Sequence, residues 1–144
     1  MSESWKIDPG FDLDGFLALP LVARVACSGP SVRPVWFVWE EGCFWWLTGS
    51  WSRLPAILAR DPRVALVVDT CELETGRVLQ VTAVGEAAAM PFDAARARRK
   101  LARYLGPDEA TWDEDRFGIT TLETGSAAFV RLAPQTLRAR DLSY

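Results

Sequence analysis

The chain has 144 residues, enough for one domain with a substantial core, and its composition of 49% hydrophobic and 24% charged residues is typical of a globular protein. The formal net charge of −3 gives no indication of nucleic-acid binding. No apolar run approaches the roughly 20 residues of a membrane span, and no leader pattern follows Met1. We therefore expect a soluble cytoplasmic protein that contacts neither nucleic acid nor membrane.

Histidine is absent, which excludes His-based triads, His general bases and most catalytic metal sites. The three cysteines Cys27, Cys43 and Cys71 have no CxxC spacing and lie in or beside apolar runs, so we expect buried thiols. No metal site and no catalytic side chain is predicted. Any redox chemistry would come from a bound organic cofactor.

The N-terminal half predicts one short helix and three strands. Residues 1–10 are expected to form a loose lead-in, and residues 11–19 a short helix. The strands are expected at residues 21–28, 32–39 and 43–48, and the last two would form a hairpin around residues 40–42. Pro34 cannot donate to a ladder, so its strand should lie at a sheet edge or contain a bulge.

The C-terminal half predicts two helices, two long strands and a shorter one. The helices are expected at residues 51–60 and 91–106, and the strands at 63–69, 77–89 and 126–134, with a closing extended segment at 137–144. Gly85 indicates a bulge in the fifth strand. Six strands joined mostly by short turns favour a mainly β (α+β) fold: an antiparallel barrel with flanking helices, forming a single domain over residues 1–144.

The best candidate site begins in "SWSRLPAILARDPRVALVVD", residues 50–69. Ser50, Ser52 and Arg53 lie where a predicted helix begins, and they would either cap its first turn or bind an anion. Arg33 is a lone charge in an apolar strand and needs solvent, a carboxylate or a bound anion. If the predicted hairpin forms, Arg33 and Thr48 lie at its open end, next to the helix start.

Two further features have alternative interpretations. Five tryptophans lie within sixteen residues and would form core, a subunit interface or a wall for a flat aromatic ligand: Trp36, Trp39, Trp45, Trp46 and Trp51. The "RARRK" run at residues 96–100 is expected to be the solvated face of its helix.

These residues resemble a known family. "VRPVWFVWEEGCFWWLTGSWSRLPAILARDPRVALVVD" and "VLQVTAVGEA" are similar to the pyridoxamine 5′-phosphate oxidase-like flavoproteins, over about residues 13–89. The resemblance implies a six-stranded antiparallel split β-barrel and a homodimer with FMN in a groove between subunits. It also implies a set of cofactor-binding residues: Arg33, Pro34, Val35, Trp36, Thr48, Ser52, Arg53 and Gln80.

The chain departs from the family pattern at Leu54, where the resemblance implies a lysine, and it has no counterpart of the segment that binds pyridoxal phosphate. We therefore do not expect vitamin B6 oxidation. The resemblance favours an FMN-dependent oxidoreductase that transfers hydride to or from a small-molecule substrate. An F420-dependent reductase of the same fold and a non-catalytic dimer that binds flavin or another small ligand are the alternatives. The loop at residues 106–125 and the partner subunit are expected to determine the substrate.

Overall fold

A computed structural model describes residues 4–144. Within that range it contains eight strands: β1 Trp5–Ile7, β2 Val22–Cys27, β3 Ser31–Trp36, β4 Val38–Glu40, β5 Cys43–Thr48, β6 Arg63–Glu72, β7 Arg77–Met90 and β8 Ala128–Asp141. The helices are α1 Leu13–Leu17, α2 Leu54–Arg60, α3 Ala94–Leu105, α4 Glu114–Phe117 and α5 Ile119–Thr124, with a 3₁₀ turn at Glu109–Thr111. None of these helices has the length and apolar character needed to cross a membrane.

The strands form one curled sheet in the order β3-β2-β6-β7-β8-β5-β4, and every pair along this path is antiparallel. The short β1 adds a parallel pairing with β8. The sheet is therefore a mainly antiparallel half-barrel with flanking helices, which confirms the expected fold class. The count rises from six strands to eight because residues 5–7 pair with β8 and the strand predicted at 32–39 divides.

Two local predictions are confirmed. Pro34 lies in β3, which pairs with β2 and forms one end of the strand order, so the missing N–H can face away from the ladder. The pairing of β7 with β8 shifts register between Val84 and Gly85, where a bulge was expected. A Cβ at Gly85 would lie 2.6 Å from the carbonyl oxygen of Ala133, so only glycine fits there without a backbone shift.

Residues 32–39 do not form one strand, because the chain changes partners at Phe37. Before this residue β3 pairs with β2, and after it β4 pairs with β5. The Phe37 N–H donates to the hydroxyl oxygen of Tyr104 at 3.1 Å, and its ring is fully buried. A contact from α3 therefore takes the place of a ladder hydrogen bond.

The lead-in and the second helix also differ from expectation. Residues 5–7 of the lead-in form a strand, and residues 1–3 lie outside the described part of the chain. Helix α2 begins at Leu54 rather than at residue 51, with Pro55 in its first turn as proline prefers. Residues 49–53 are therefore free to form a loop beside β3 and β5.

Two buried clusters form the interior. The larger fills the half-barrel and includes Trp46, Phe37 and Phe44, and the smaller lies between the sheet and α3 around Leu101 and Phe129. Burial of each such large side chain contributes about 2–3 kcal/mol. The expectation of buried thiols is correct for Cys27 but wrong for Cys71, which is exposed, and Cys43 is half-buried.

Candidate functional site

A cavity of about 610 Å³ opens at the end of the half-barrel, between β3, the end of β5, residues 51–54 and helices α3 and α4. We call it the first cavity. It brings together seven of the eight residues that the sequence predicted to bind a cofactor: Arg33, Pro34, Val35, Trp36, Thr48, Ser52 and Arg53. The other lining residues are Trp46, Leu47, Trp51, Leu54, Lys100, Arg116 and Phe117.

The charged side chains that line the first cavity are all basic. Four of its side chains are cationic and none is acidic: Arg33, Arg53, Lys100 and Arg116. Within residues 4–144, none of these four forms an ion pair with a carboxylate. Cations that converge on a cavity without protein counter-ions attract an anionic ligand. The walls therefore favour a ligand that carries phosphate or carboxylate groups.

Arg33 is held in position by two hydroxyl groups. Its Nη1 donates to Oγ of Ser52 at 3.1 Å, and its Nη2 lies 3.4 Å from Oγ of Ser31. Ser52 Oγ also accepts from the N–H of Leu54, the first residue of α2, at 3.1 Å. The serine therefore supports the helix start and lines the first cavity, and its binding of an anion stays a prediction.

Buried polar groups in proteins are normally hydrogen-bonded, and exceptions require an explanation. Three buried side-chain atoms in the described chain have no partner: Nε of Arg33, Nε1 of Trp46 and Oγ1 of Thr48. All three belong to residues that line the first cavity. Two N–H donors and one hydroxyl group are therefore left unpaired in the wall of the first cavity.

Leu54 is buried and joins the core of the half-barrel with Leu58. Its side chain also lines the first cavity, where it presents an apolar surface. The cation that the resemblance implies at this position is therefore absent from the start of α2.

Lys100 was missed by the sequence reasoning, which placed residues 96–100 on a solvated face. That expectation is wrong for Arg96 and Lys100, which are 9% and 4% exposed. Burial lowers the pKa of Lys100 to about 8. The Lys100 ammonium lies 5.8 Å from the ring centre of Trp36 and has no hydrogen-bond or ion-pair partner in the part of the chain described. Its spacing from Ala97 and Tyr104, on the apolar face of α3, was the available signal.

Helix α3 is fixed to the β4–β5 hairpin by arginines. Arg96 stacks 3.5 Å above the ring of Trp45 and donates to Glu40 at 2.9 Å, and Arg99 donates to the same carboxylate at 2.7 Å. The hydrogen bond from Arg99, supported by Arg96, lowers the pKa of Glu40 to about 2. These contacts hold the helix that carries Lys100 against the sheet.

Trp36 is held by aromatic contacts. It stacks on Tyr104 with ring centres 4.7 Å apart and on Phe117 at 5.9 Å. The Tyr104 hydroxyl donates to the Leu21 carbonyl at 2.6 Å, and burial raises its pKa. The indole is therefore a rigid apolar wall, which fits one of the predicted roles of the tryptophan cluster.

A second cavity of about 550 Å³ adjoins the first. Five residues line both: Leu47, Trp51, Lys100, Arg116 and Phe117. The rest of the second cavity comes from α3, from α4 and from the segment between α4 and β8: Leu101, Asp115, Thr121, Leu122, Gly125, Ser126 and Ala127. Six residues of the loop that was expected to determine the substrate therefore line this space: Asp115, Arg116, Phe117, Thr121, Leu122 and Gly125.

Gln80 does not line the first cavity. It lies on β7, directly opposite Asp69 of β6 and Arg140 of β8. The structure of the single chain does not bring Gln80 into the first cavity with the other predicted residues. Its predicted role stays a prediction.

The curled antiparallel sheet with a ligand-sized cavity at its end is that of a split β-barrel protein. Residues 12–138 match the family described as pyridoxamine 5′-phosphate oxidase, and the chain belongs to this family. No curated protein matches the sequence.

Solved structures share this fold at low sequence identity. A conserved hypothetical protein, Rv2991 from Mycobacterium tuberculosis, is 21% identical with a TM-score of 0.70, and the match covers 98% of this chain and 85% of that one. An F420 reductase is 18% identical with a TM-score of 0.61, covering 88% and 96%. A FAD-binding protein from Mesorhizobium loti is 19% identical with a TM-score of 0.59, covering 90% and 91%.

Proposed function

We propose that the first cavity binds the phosphate-bearing cofactor FMN and that the protein is an FMN-dependent oxidoreductase. One observation carries the proposal: the buried side-chain atoms without partners all belong to residues of this cationic cavity. The cofactor-binding descriptions of the F420 reductase and the FAD-binding protein support it. FMN, when bound, supplies hydride transfer at N5 of its ring system.

The residues present fit such a group. Arg33 and Arg53 would bind the phosphate by charge-assisted hydrogen bonds, with Ser52 and Thr48 adding hydroxyl groups. Arg53 is exposed, and its guanidinium has no partner within residues 4–144, so it is available to the ligand. Pro34, Val35 and Trp36 provide an apolar wall for the ring system. The substrate is a small molecule that reaches the same cavity.

A binding titration tests this proposal. FMN is added to the purified protein and its fluorescence is followed, with Arg53→Ala and Arg60→Ala for comparison. Arg60 is an exposed residue at the opposite end of α2, which makes it a matched control. We expect saturable binding to the wild type and to Arg60→Ala, and about tenfold weaker binding to Arg53→Ala, equivalent to ~1.4 kcal/mol. No saturable binding to the wild type would exclude FMN.

Two alternatives use the same cavity, and Leu54 favours the second of them, because one phosphate-binding cation is missing at the start of α2. The first is an F420-dependent reductase, which a parallel titration with F420 distinguishes by the ratio of the two dissociation constants. The second is a dimer that binds flavin or another small ligand without turnover. Stopped-flow reoxidation of the reduced cofactor by candidate acceptors separates this alternative, because a binding protein would react only slowly with oxygen.

We also propose a homodimer, with a second copy covering the outer face of β6 and β7. On that face Ala65 lies opposite Val84, and Val67 lies opposite Thr82. Val84 is 48% exposed in the single chain, and burying this apolar strip would stabilise a dimer. Gln80 belongs to the same face and would thereby approach the partner subunit.

A further inference from the structure

Apolar side chains line much of the second cavity, and the cationic Lys100 and Arg116 line both cavities. Its apolar lining residues include Leu47, Leu101, Phe117 and Leu122 and the 61% exposed Trp51, and its polar ones are Lys100, Asp115, Arg116, Thr121 and Ser126. A space of about 550 Å³ is within the usual range for a small organic ligand. A small molecule with an apolar body and a charged group would therefore fit it.

Lys100 provides the cationic group at the junction of the two cavities. Only two lysines occur in the chain, Lys6 and Lys100, whereas every other basic residue is arginine. Lys6 is exposed, while Lys100 is 4% exposed and its ammonium has no partner among the described residues. Asp115 lines the second cavity too, but it forms no ion pair with this lysine. An ammonium on a nearly buried side chain loses much of its hydration, and an anionic ligand oxygen would offset that cost.

Lys100 and the proposed phosphate-binding residue Arg33 lie beside different residues of the first cavity. The lysine approaches Trp36, whereas the hydroxyl-bound cation is Arg33, three residues earlier on the same strand. Three residues along a strand span about 10 Å. A ligand atom at Lys100 would therefore lie beside Trp36 rather than beside Arg33, next to residues that line both cavities.

We propose that the second cavity binds the substrate, an apolar and preferably aromatic small molecule with a carboxylate, and that Lys100 Nζ binds the carboxylate. This inference rests on the proposed function, because it assigns the first cavity to the cofactor. It also names the class of substrate that the family resemblance left open. The apolar walls hold the body of the molecule, and the ammonium fixes its charged end beside the first cavity.

The test uses 2-naphthoate as the probe and 2-naphthylmethanol as its neutral counterpart, measured by calorimetry on the FMN-loaded and FMN-free protein. Lys100→Met keeps the length of the side chain but removes its charge, Lys100→Arg keeps the charge, and Lys6→Met is the matched control. We expect Lys100→Met to weaken naphthoate binding at least tenfold. Naphthylmethanol binding should change little, FMN binding should weaken by less than tenfold because Lys100 also lines the first cavity, and the two other variants should behave like the wild type.

A second variant tests the location without altering charge. Thr121 is exposed and lines the second cavity but not the first, so Thr121→Trp should block naphthoate while FMN still binds. Equal naphthoate affinity in the wild type and Lys100→Met, or no saturable naphthoate binding to the wild type, would overturn the inference. A tenfold loss of FMN affinity in Lys100→Met would also overturn it, by assigning the lysine to the cofactor. If FMN fails to bind the wild type, the proposed function fails, and the FMN-free titrations still decide the role of Lys100.

Discussion

Arg33 and Ser52 are 19 residues apart in the sequence, and Nη1 of the arginine donates to Oγ of the serine at 3.1 Å. The same oxygen accepts from the N–H of Leu54, the first residue of α2. One hydroxyl therefore joins the edge strand to the helix and fixes a guanidinium whose Nε remains without a partner. This junction is the centre of the proposed cofactor site.

Replacing Arg33 by glutamine should weaken cofactor binding more than it weakens the fold. The variant removes a charge from the first cavity, so we expect the dissociation constant for FMN to rise at least tenfold, or ~1.4 kcal/mol. Fluorescence titration provides the measurement. Arg24→Gln is the control, since Arg24 is on the adjacent strand and makes only an exposed ion pair with Asp69 at 3.6 Å. Equal losses in both variants would contradict a specific role for Arg33.

Glu40 should make stability depend on pH in the acid range. Its pKa is lowered from 4.5 to about 2 by Arg99 and Arg96, so its ionised form stabilises the folded protein. That contribution is fully present above about pH 4.5 and is lost as the pH falls toward 2. Glu40→Gln should lower the free energy of unfolding by about 2 kcal/mol at pH 7, measured by urea denaturation.

The difference between Glu40→Gln and the wild type should shrink as the pH falls from 4.5 toward 2. Glu41→Gln is the matched control, because its carboxylate is 75% exposed and lies 3.5 Å from Arg96. We expect Glu41→Gln to cost less than about 1 kcal/mol. A pH-independent difference between Glu40→Gln and the wild type would show that packing, rather than charge, causes the loss.

Tyr104→Phe should destabilise the protein while leaving the aromatic stack on Trp36 in place. The hydroxyl accepts from the Phe37 N–H at 3.1 Å and donates to the Leu21 carbonyl at 2.6 Å, and its loss leaves both groups unsatisfied. We expect a loss of about 1–3 kcal/mol in the free energy of unfolding. Tyr144→Phe, at an exposed position, should be neutral. Unchanged stability in Tyr104→Phe would mean that water replaces the hydroxyl.

Val84→Glu should separate the proposed dimer into monomers. The substitution places a charge on the outer face of β7, which a second copy would have to bury without a partner. Light scattering after size-exclusion chromatography gives the mass of each variant. Thr120→Glu is the control, because Thr120 is exposed on α5 and does not belong to β6 or β7. A wild-type protein of monomeric mass would contradict the dimer.

The sequence predicted those features of the fold that depend on the conformational limits of a single residue. Pro34 indicated an edge strand because it lacks a donor, and Gly85 indicated a bulge because no side chain fits there. The division at Phe37 could not be predicted, since it depends on a hydroxyl 67 residues away. The sequence pattern alone cannot identify such a distant partner.

In the candidate site, too, the residues with a local sequence signal were predicted, and a residue whose burial depends on distant packing was missed. Arg33, Thr48 and Ser52 were predicted because each is a polar residue beside an apolar strand or a helix start, and all three line the first cavity. Lys100 was missed because basic residues on a helix are usually solvated, and only the packing of α3 against Trp36 and Trp45 buries its face. Gln80 matches a residue of the family pattern, but it does not line the first cavity.

Phe117 and Trp51 line both cavities, and Phe117 also stacks on Trp36. A ligand that orders these rings in one cavity therefore shapes the wall of the other, so the two binding free energies are linked. Such linkage is reciprocal: the factor by which a cofactor changes substrate affinity is the factor by which the substrate changes cofactor affinity. A protein whose phosphate site lacks one cation could thus retain its cofactor most tightly when its substrate is present.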